Sequence, residues 1–277
     1  MSYKTIMVCL NEVSSNDRLT DVTRILAAKF KSHVKGLYVV PGVQIYAGVA
    51  AGMGPISYDG FRAYFEKQQP GVKQRFEAAM QKDGLPFDFQ TVDSVNPNIA
   101  NAIIENSRCA DLIVIPSGSR NAEEGTINDG LVDMVAIGAG RPVLVIPDQG
   151  KFEFTADDIT LGWNNSREAA RAVYDAMPFL KAAKKVRVTC VDNKQRGTLP
   201  GTDIADTLAR HGVKAEVQTI ASNGSGAGST LLQAANDAGS GLIVMGCYGH
   251  SRLAELVFGG ASRHMLANVD RAVLLSH

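Results

Sequence analysis

Residues 6–11 read IMVCLN and residues 159–164 read ITLGWN, a spacing of 153. Two more pairs follow in the same order. DLIVI at 111–115 returns as GLIVM at 241–245, and RPVLVIP at 141–147 returns as RAVLLSH at 271–277, both at a spacing of 130. Three apolar runs recurring in one order mean that the chain is written twice. The fall in spacing from 153 to 130 leaves the first copy 23 residues longer between its first and later runs.

Around these runs, strand and helix signals alternate. IMVCLN is a short apolar run closed by a turn-forming Asn, the pattern of a buried parallel strand. SSNDRLTDVTRILAAKF follows, with Ser, Asn and Asp as capping candidates and Leu19, Val22, Ile25 and Leu26 at helical spacing. VKGLYVV is the next strand. In the second copy ITLGWN is a strand, and Ser166 caps a helix carrying Ala169, Ala170, Val173, Met177 and Leu180. KVRVTCV is a strand, DIADTLARHG a helix closed by Gly212, KAEVQTIA a strand and STLLQAANDAG a helix. GLIVMG, SRHMLANV and RAVLLSH complete the series as strand, helix and strand. Such alternation predicts an α/β fold: two tandem doubly wound parallel-sheet repeats of five strands each, paired as an intrachain pseudo-dimer.

The expected divisions are residues 1–147, a linker DQGKFEFTADD at 148–158, and residues 159–277. The extra residues of the first copy fall within 41–69. That stretch reads as a Gly- and Pro-rich loop followed by a helix from about Asp59. Its Tyr46, Met53, Ile56 and Tyr58 suit packing on its own or the neighbouring repeat, a lid over a ligand, or a partner surface.

The chain of 277 residues has 28 basic and 28 acidic side chains, hence a formal net charge of zero. That balance argues against a general surface for nucleic acid or anionic membrane. No run reaches the ~20 apolar residues of a spanning helix. The opening apolar run IMVCL is short for a signal peptide and no small-residue cleavage site follows it, so a cytoplasmic protein is expected. The four cysteines, Cys9, Cys109, Cys190 and Cys247, form no CxxC pair and read as reduced thiols, with metal or disulfide use as the alternative.

One stretch carries ligand chemistry: GLIVMGCYGHSRLAELVFGGASRHML, residues 241–266. Gly246 directly follows a strand, Gly249 comes next, and Gly259 and Gly260 precede a helix. Glycine lets backbone N–H groups approach a phosphate with no Cβ in the way. The helix start at Ala261 offers free N–H donors and the positive end of the dipole, and Ser262 adds a hydroxyl. A tight turn with no ligand is the alternative. Neither GxxxxGK with Ser or Thr nor GxGxxG after the first strand is present, which argues against the two better-known phosphate loops.

The spacing G-x2-G-x9-G at Gly246, Gly249 and Gly259 resembles the nucleotide motif of the universal stress protein family. LGWNNSREAARAV and YGHSRLAELVFGG resemble the family's first helix start and phosphate segment. The resemblance spans the chain in two copies, as in the tandem type, whose fold is adenine nucleotide alpha hydrolase-like. It implies ATP, with or without Mg²⁺, as the ligand. It implies a phosphate set of Gly246, Gly249, Gly259, Gly260 and Ser262, assisted by His250 and Arg252. It also implies Asn164 as the ribose residue and Val188 and Cys190 as the adenine edge. Two positions depart from the family pattern: Asn164 stands where the family has Asp, and Gly260 where it has Ser or Thr. His250 reads equally as a solvated loop residue, and Trp163 as a core residue or a contact to the base. His33, His211, His264 and His277 show no ligand spacing.

At the 130-residue offset the first copy has Pro116, Ser119, Asp129 and Val132 at the motif positions. Only Gly130 keeps a glycine, and Glu123 and Glu124 lie between. The first repeat is therefore expected not to bind ATP in the same way and to serve as a built-in partner of the second. No catalytic site is assigned, and none to a metal. The resemblance and the residues imply a nucleotide-binding regulatory or interaction protein of the stress response, with an unidentified protein partner. A slow ATPase and a nucleotide-free scaffold or small-ligand carrier are the alternatives. A homodimer through the last strands also stays open.

Overall fold

A computed structural model describes residues 2–42, 59–118, 130–148, 150–192, 201–247 and 269–277. The chain divides into two compact units, Tyr3–Ala139 and Gly140–His277 with Met1–Ser2.

In the N-terminal unit the strands are β1 (Thr5–Cys9), β2 (His33–Val40), β3 (Phe87–Asp93) and β4 (Leu112–Pro116). They lie in the order β3-β2-β1-β4, all parallel. The helices are α1 (Asn16–Phe30), α2 (Asp59–Lys82), α3 (Ala100–Ser107) and α4 (Leu131–Gly138). The chain moves outward from β1 to β3 and then returns to the other side of β1, so its switch point lies between β1 and β4. Every residue of β4 is buried, as a strand covered on both faces requires. On α1, Leu19, Val22 and Leu26 face the core, whereas Ile25 is 49% exposed. Ile25 has the right spacing but lies at the margin of the buried stripe.

Helix α2 starts at Asp59 and continues through Pro70 to Lys82. Phe65, Val72, Phe76 and Met80 are its buried side chains, and Tyr38 of β2 donates its hydroxyl to the Phe65 carbonyl at 2.9 Å. Residues 43–58, with Tyr46, Met53, Ile56 and Tyr58, lie outside the described residues.

The C-terminal unit holds β5 (Val143–Ile146), β6 (Asp158–Gly162), β7 (Lys185–Val191), β8 (Ala215–Ile220), β9 (Leu242–Gly246) and β10 (Ala272–Ser276). Its helices are α5 (Arg167–Asp175), α6 (Met177–Ala182), α7 (Thr202–Arg210) and α8 (Ala227–Asp237). The strand order is β5-β10-β9-β6-β7-β8, and only β5 is antiparallel. Here the switch point lies between β6 and β9. The runs RPVLVIP and RAVLLSH, open in the sequence to pairing between chains, pair with each other in one chain: Val143 with Leu275, Val145 with Val273.

The helix expected after Ser166 is broken at Ala176 into α5 and α6. Pro178 has no N–H to donate back one turn, so the second piece starts anew. Between β5 and β6, Phe154 stacks against Phe179 at 6.3 Å and Ala156 is buried, so this connection is packed into the unit. Arg271 closes the other end of the sheet by donating to the carbonyls of Ala235 (3.1 Å) and Ser240 (2.7 Å). No described helix is long and apolar enough to cross a membrane.

Candidate functional site

Strands β6 and β9 run side by side with Leu161 opposite Val244. Continued to their carboxyl ends, that register brings Trp163 level with Gly246 and Asn164 level with Cys247. Two predicted site residues, Asn164 and Gly246, thus meet at the switch point, where ligands of doubly wound sheets bind.

Asn164 is exposed. Its Oδ1 accepts the Ser166 N–H at 3.1 Å, an Asx turn that leads the chain into α5. Asn165 adopts φ +60°, a left-handed conformation that asparagine tolerates. Ser166 then caps α5 as the sequence predicts, its Oγ accepting the Ala169 N–H at 3.1 Å. The Nδ2 of Asn164 has no protein partner among the described residues. Trp163 is half-buried, its N–H donating to the Thr189 carbonyl at 2.9 Å.

Glu168 is the residue that sequence reasoning missed. It stands in the first turn of α5, is only 4% exposed, and lies four positions after Asn164. Arg167 holds its carboxylate at 2.7 Å. Burial raises its pKa, but its own backbone N–H, the Arg167 guanidinium and the Ser166 hydroxyl outweigh burial and hold it below the ordinary value. The motif Ser-x-Glu after Asn164 was the available signal. This carboxylate is engaged in securing the helix start.

Gly246 has a demanding environment. A Cβ there would lie 2.4 Å from the Ala169 nitrogen and 2.4 Å from the Glu168 carbonyl carbon. Both are backbone atoms that cannot move aside alone. The missing side chain therefore seats α5 against the end of β9, a use the phosphate argument did not foresee. Ser276, the register partner of Gly246 on β10, is 1% exposed and its Oγ has no protein partner. Cys247 is buried, its N–H bonding the Ser276 carbonyl at 2.9 Å, and His277 Nδ1 lies 3.0 Å from the Cys247 carbonyl.

Val188 and Cys190 of β7 are fully buried. Gly201, at φ +87°, lies directly over them: a Cβ there would be 3.3 Å from Val188 Cγ1 and 3.0 Å from Cys190 Sγ. At the carboxyl end of β7 the residues that reach the surface are Val191 and Asp192. Burial also pushes the thiols of Cys9 and Cys190 upward, whereas Cys109 is exposed; all four cysteines are free. Gly249, His250, Arg252, Gly259, Gly260 and Ser262, with the helix expected at SRHMLANV and His264, lie outside the described residues.

The N-terminal unit treats its switch point differently. Asn11, 153 residues before Asn164, donates Nδ2 to the Val39 carbonyl at 2.6 Å and accepts the Val39 N–H at 3.0 Å. Its amide is spent on β2. Arg62 of α2 reaches Asp93 at the end of β3, Glu66 at 2.8 Å and the Pro41 carbonyl at 3.4 Å, filling the ends of β2 and β3 with its guanidinium. Gly130 adopts φ +75° and opens α4 at Leu131. Ser119, Glu123, Glu124 and Asp129 lie outside the described residues.

Two parallel, doubly wound units in tandem define the class of fold, and solved structures share it. A universal stress protein from Archaeoglobus fulgidus DSM 4304 matches with a TM-score of 0.70 at 14% identity, over 99% of this chain and 96% of its own. A functionally unknown protein from Pseudomonas aeruginosa PAO1 matches at 0.63 and 13% identity, over 99% and 92%. A protein described as a universal stress protein from Pseudomonas aeruginosa UCBPP-PA14 matches at 0.59 and 15%, over 99% and 93%. The chain therefore has the tandem universal stress protein fold. No family model matches it. No curated protein matches it either.

Proposed function

We propose that this chain is a tandem universal stress protein whose C-terminal unit binds an adenine nucleotide of the ATP type, and that it acts as a cytoplasmic regulatory or interaction protein. The observation that carries the reading is the meeting of Asn164 and Gly246 on adjacent strands at the β6–β9 switch point, directly ahead of the glycine spacing of residues 246–260. The amide of Asn164 keeps a free Nδ2 at the surface and can donate to a ribose hydroxyl. The N-terminal unit lacks the glycine spacing and commits the corresponding amide to β2. The proposal therefore assigns one nucleotide per chain, with the N-terminal unit as a structural partner.

Binding without fast hydrolysis fits the charges. A Mg²⁺ ion would call for a carboxylate beside Asn164. Glu168 is the acid in that first turn, and it is held by Arg167, Ser166 and its own N–H. ATP is bound in this proposal through Asn164 and through the backbone and hydroxyl donors of Gly249, Gly259, Gly260 and Ser262.

Calorimetric titration with ATP and Mg²⁺ tests the reading, run beside a Gly259→Asp variant. Expected is saturable binding near one site per chain that the added carboxylate abolishes. Absence of heat and of any thermal shift at millimolar ATP would transfer the lead to a nucleotide-free scaffold or carrier.

A further inference from the structure

The start of α1 is built unlike the start of α5. Ser15 occupies the N-cap, but its side chain makes no capping bond. Its Oγ is buried, the residue being 2% exposed, and has no protein partner. The next residue, Asn16, is 3% exposed. Its Nδ2 donates to the Leu10 carbonyl at 3.0 Å. A carbonyl only accepts, so this bond sets the amide's orientation and leaves Oδ1 facing inward, again with no protein partner. Two buried polar atoms without partners therefore stand side by side where β1 turns into α1, at the switch point of the N-terminal unit.

A buried polar atom without a hydrogen bond costs roughly 1–3 kcal/mol, so two neighbouring ones call for an occupant. Its chemistry follows from the groups around it. Asn16 Oδ1 demands a donor. Ser15 Oγ gives one hydrogen and accepts another. The first-turn N–H groups that Ser15 does not cap need an acceptor. An anion is refused by Oδ1 and by the nearby Glu12 carboxylate, which accepts the Ser14 hydroxyl at 3.1 Å. A cation is refused by the positive end of the helix dipole. A small neutral molecule with two donors and two acceptors satisfies all of them.

We propose that the N-terminal unit holds an internal water at this point, donating to Asn16 Oδ1, exchanging a bond with Ser15 Oγ and accepting from the first turn of α1. Buried waters of this kind make about three bonds to otherwise unsatisfied groups. The water stands in for a side-chain cap and closes the first switch point from within. The proposal is independent of the nucleotide reading.

A high-resolution crystal structure of the full chain and thermal unfolding of Ser15→Ala test it together. Expected is spherical density within hydrogen-bond distance of both Ser15 Oγ and Asn16 Oδ1, and a fall in Tm of roughly 2–4 °C in the variant. An empty site, or a Tm that stays or rises because an unsatisfied hydroxyl has been removed, overturns it. So does density for a larger molecule, or a Ser15 hydroxyl that caps α1 directly.

Discussion

Asn11 and Asn164 close the first strand of each unit and face opposite demands. Asn11 ties both its amide ends to Val39 and extends the β1–β2 ladder by one side chain. Asn164 turns inward only to Ser166 and leaves its nitrogen at the surface. The turns around them differ as well. Residues 10–15 join β1 to α1, whereas residues 163–166 join β6 to α5. The shorter turn lets Ser166 cap its helix, and the longer one leaves Ser15 without that bond. One residue type in one fold position thus holds the sheet together in one unit and is available to a ligand in the other. Duplication kept the strands and freed the connections to diverge.

The strongest way to break this comparison is to fill the gap that seats α5. Gly246→Val places atoms inside the backbone of Glu168 and Ala169, and should destabilise the C-terminal unit by about 3 kcal/mol or more. Its counterpart Pro116→Gly adds no atoms and should cost about 1–2 kcal/mol through chain entropy and lost burial. Urea unfolding of the two variants measures both; equal costs would mean that the close approach of α5 to β9 does not distinguish the units.

A finer test exchanges stability for affinity. Asn11→Ala removes two hydrogen bonds to β2 and should lower stability by about 1–3 kcal/mol while leaving ATP titration unchanged. Asn164→Ala removes one exposed turn bond, costs about 1 kcal/mol or less, and should weaken ATP binding about tenfold, which corresponds to ~1.4 kcal/mol. Loss of ATP binding in the Asn11 variant, at temperatures where it remains folded, would assign the ligand to the wrong unit.

The smallest effect is a pH dependence confined to the C-terminal unit. The folded pKa of Glu168 lies below its ordinary value of 4.5. Its ionised form therefore stabilises the fold above the unfolded pKa, and this contribution is lost as pH falls through the folded pKa. Glu168→Gln should show a constant deficit near neutral pH that shrinks below the ordinary carboxylate range. Urea midpoints across an acid series check this; a deficit independent of pH would mean that the charge does not matter.

Much of the architecture was legible because buried parallel strands are continuous apolar runs. DLIVI and GLIVM, with RPVLVIP and RAVLLSH, announced both the strands and their duplication. Ser166 was legible as a cap because the signal is local. Ser15 looked equally suitable and does not cap, because a longer turn positions it differently. The break at Ala176 was written in Pro178 but obscured by the helical spacing of Met177 and Leu180. The site was legible as a glycine spacing, which says where backbone is permitted to approach something and leaves open what approaches. For Gly246, the neighbour is the first turn of α5.

By itself, the sequence determined the alternation of strands and helices, the twofold repeat and the divergence of the second copy's glycine motif from the first. These are properties of residue order, and local periodicity records them. The tertiary structure alone decided that β5 pairs antiparallel with β10, that Val188 and Cys190 lie beneath Gly201, that Asn11 is consumed while Asn164 is free, and that Glu168 is buried at a helix start. Each of these depends on groups far apart in the chain meeting across a sheet or at its edge, and no local pattern encodes which group a side chain will meet there.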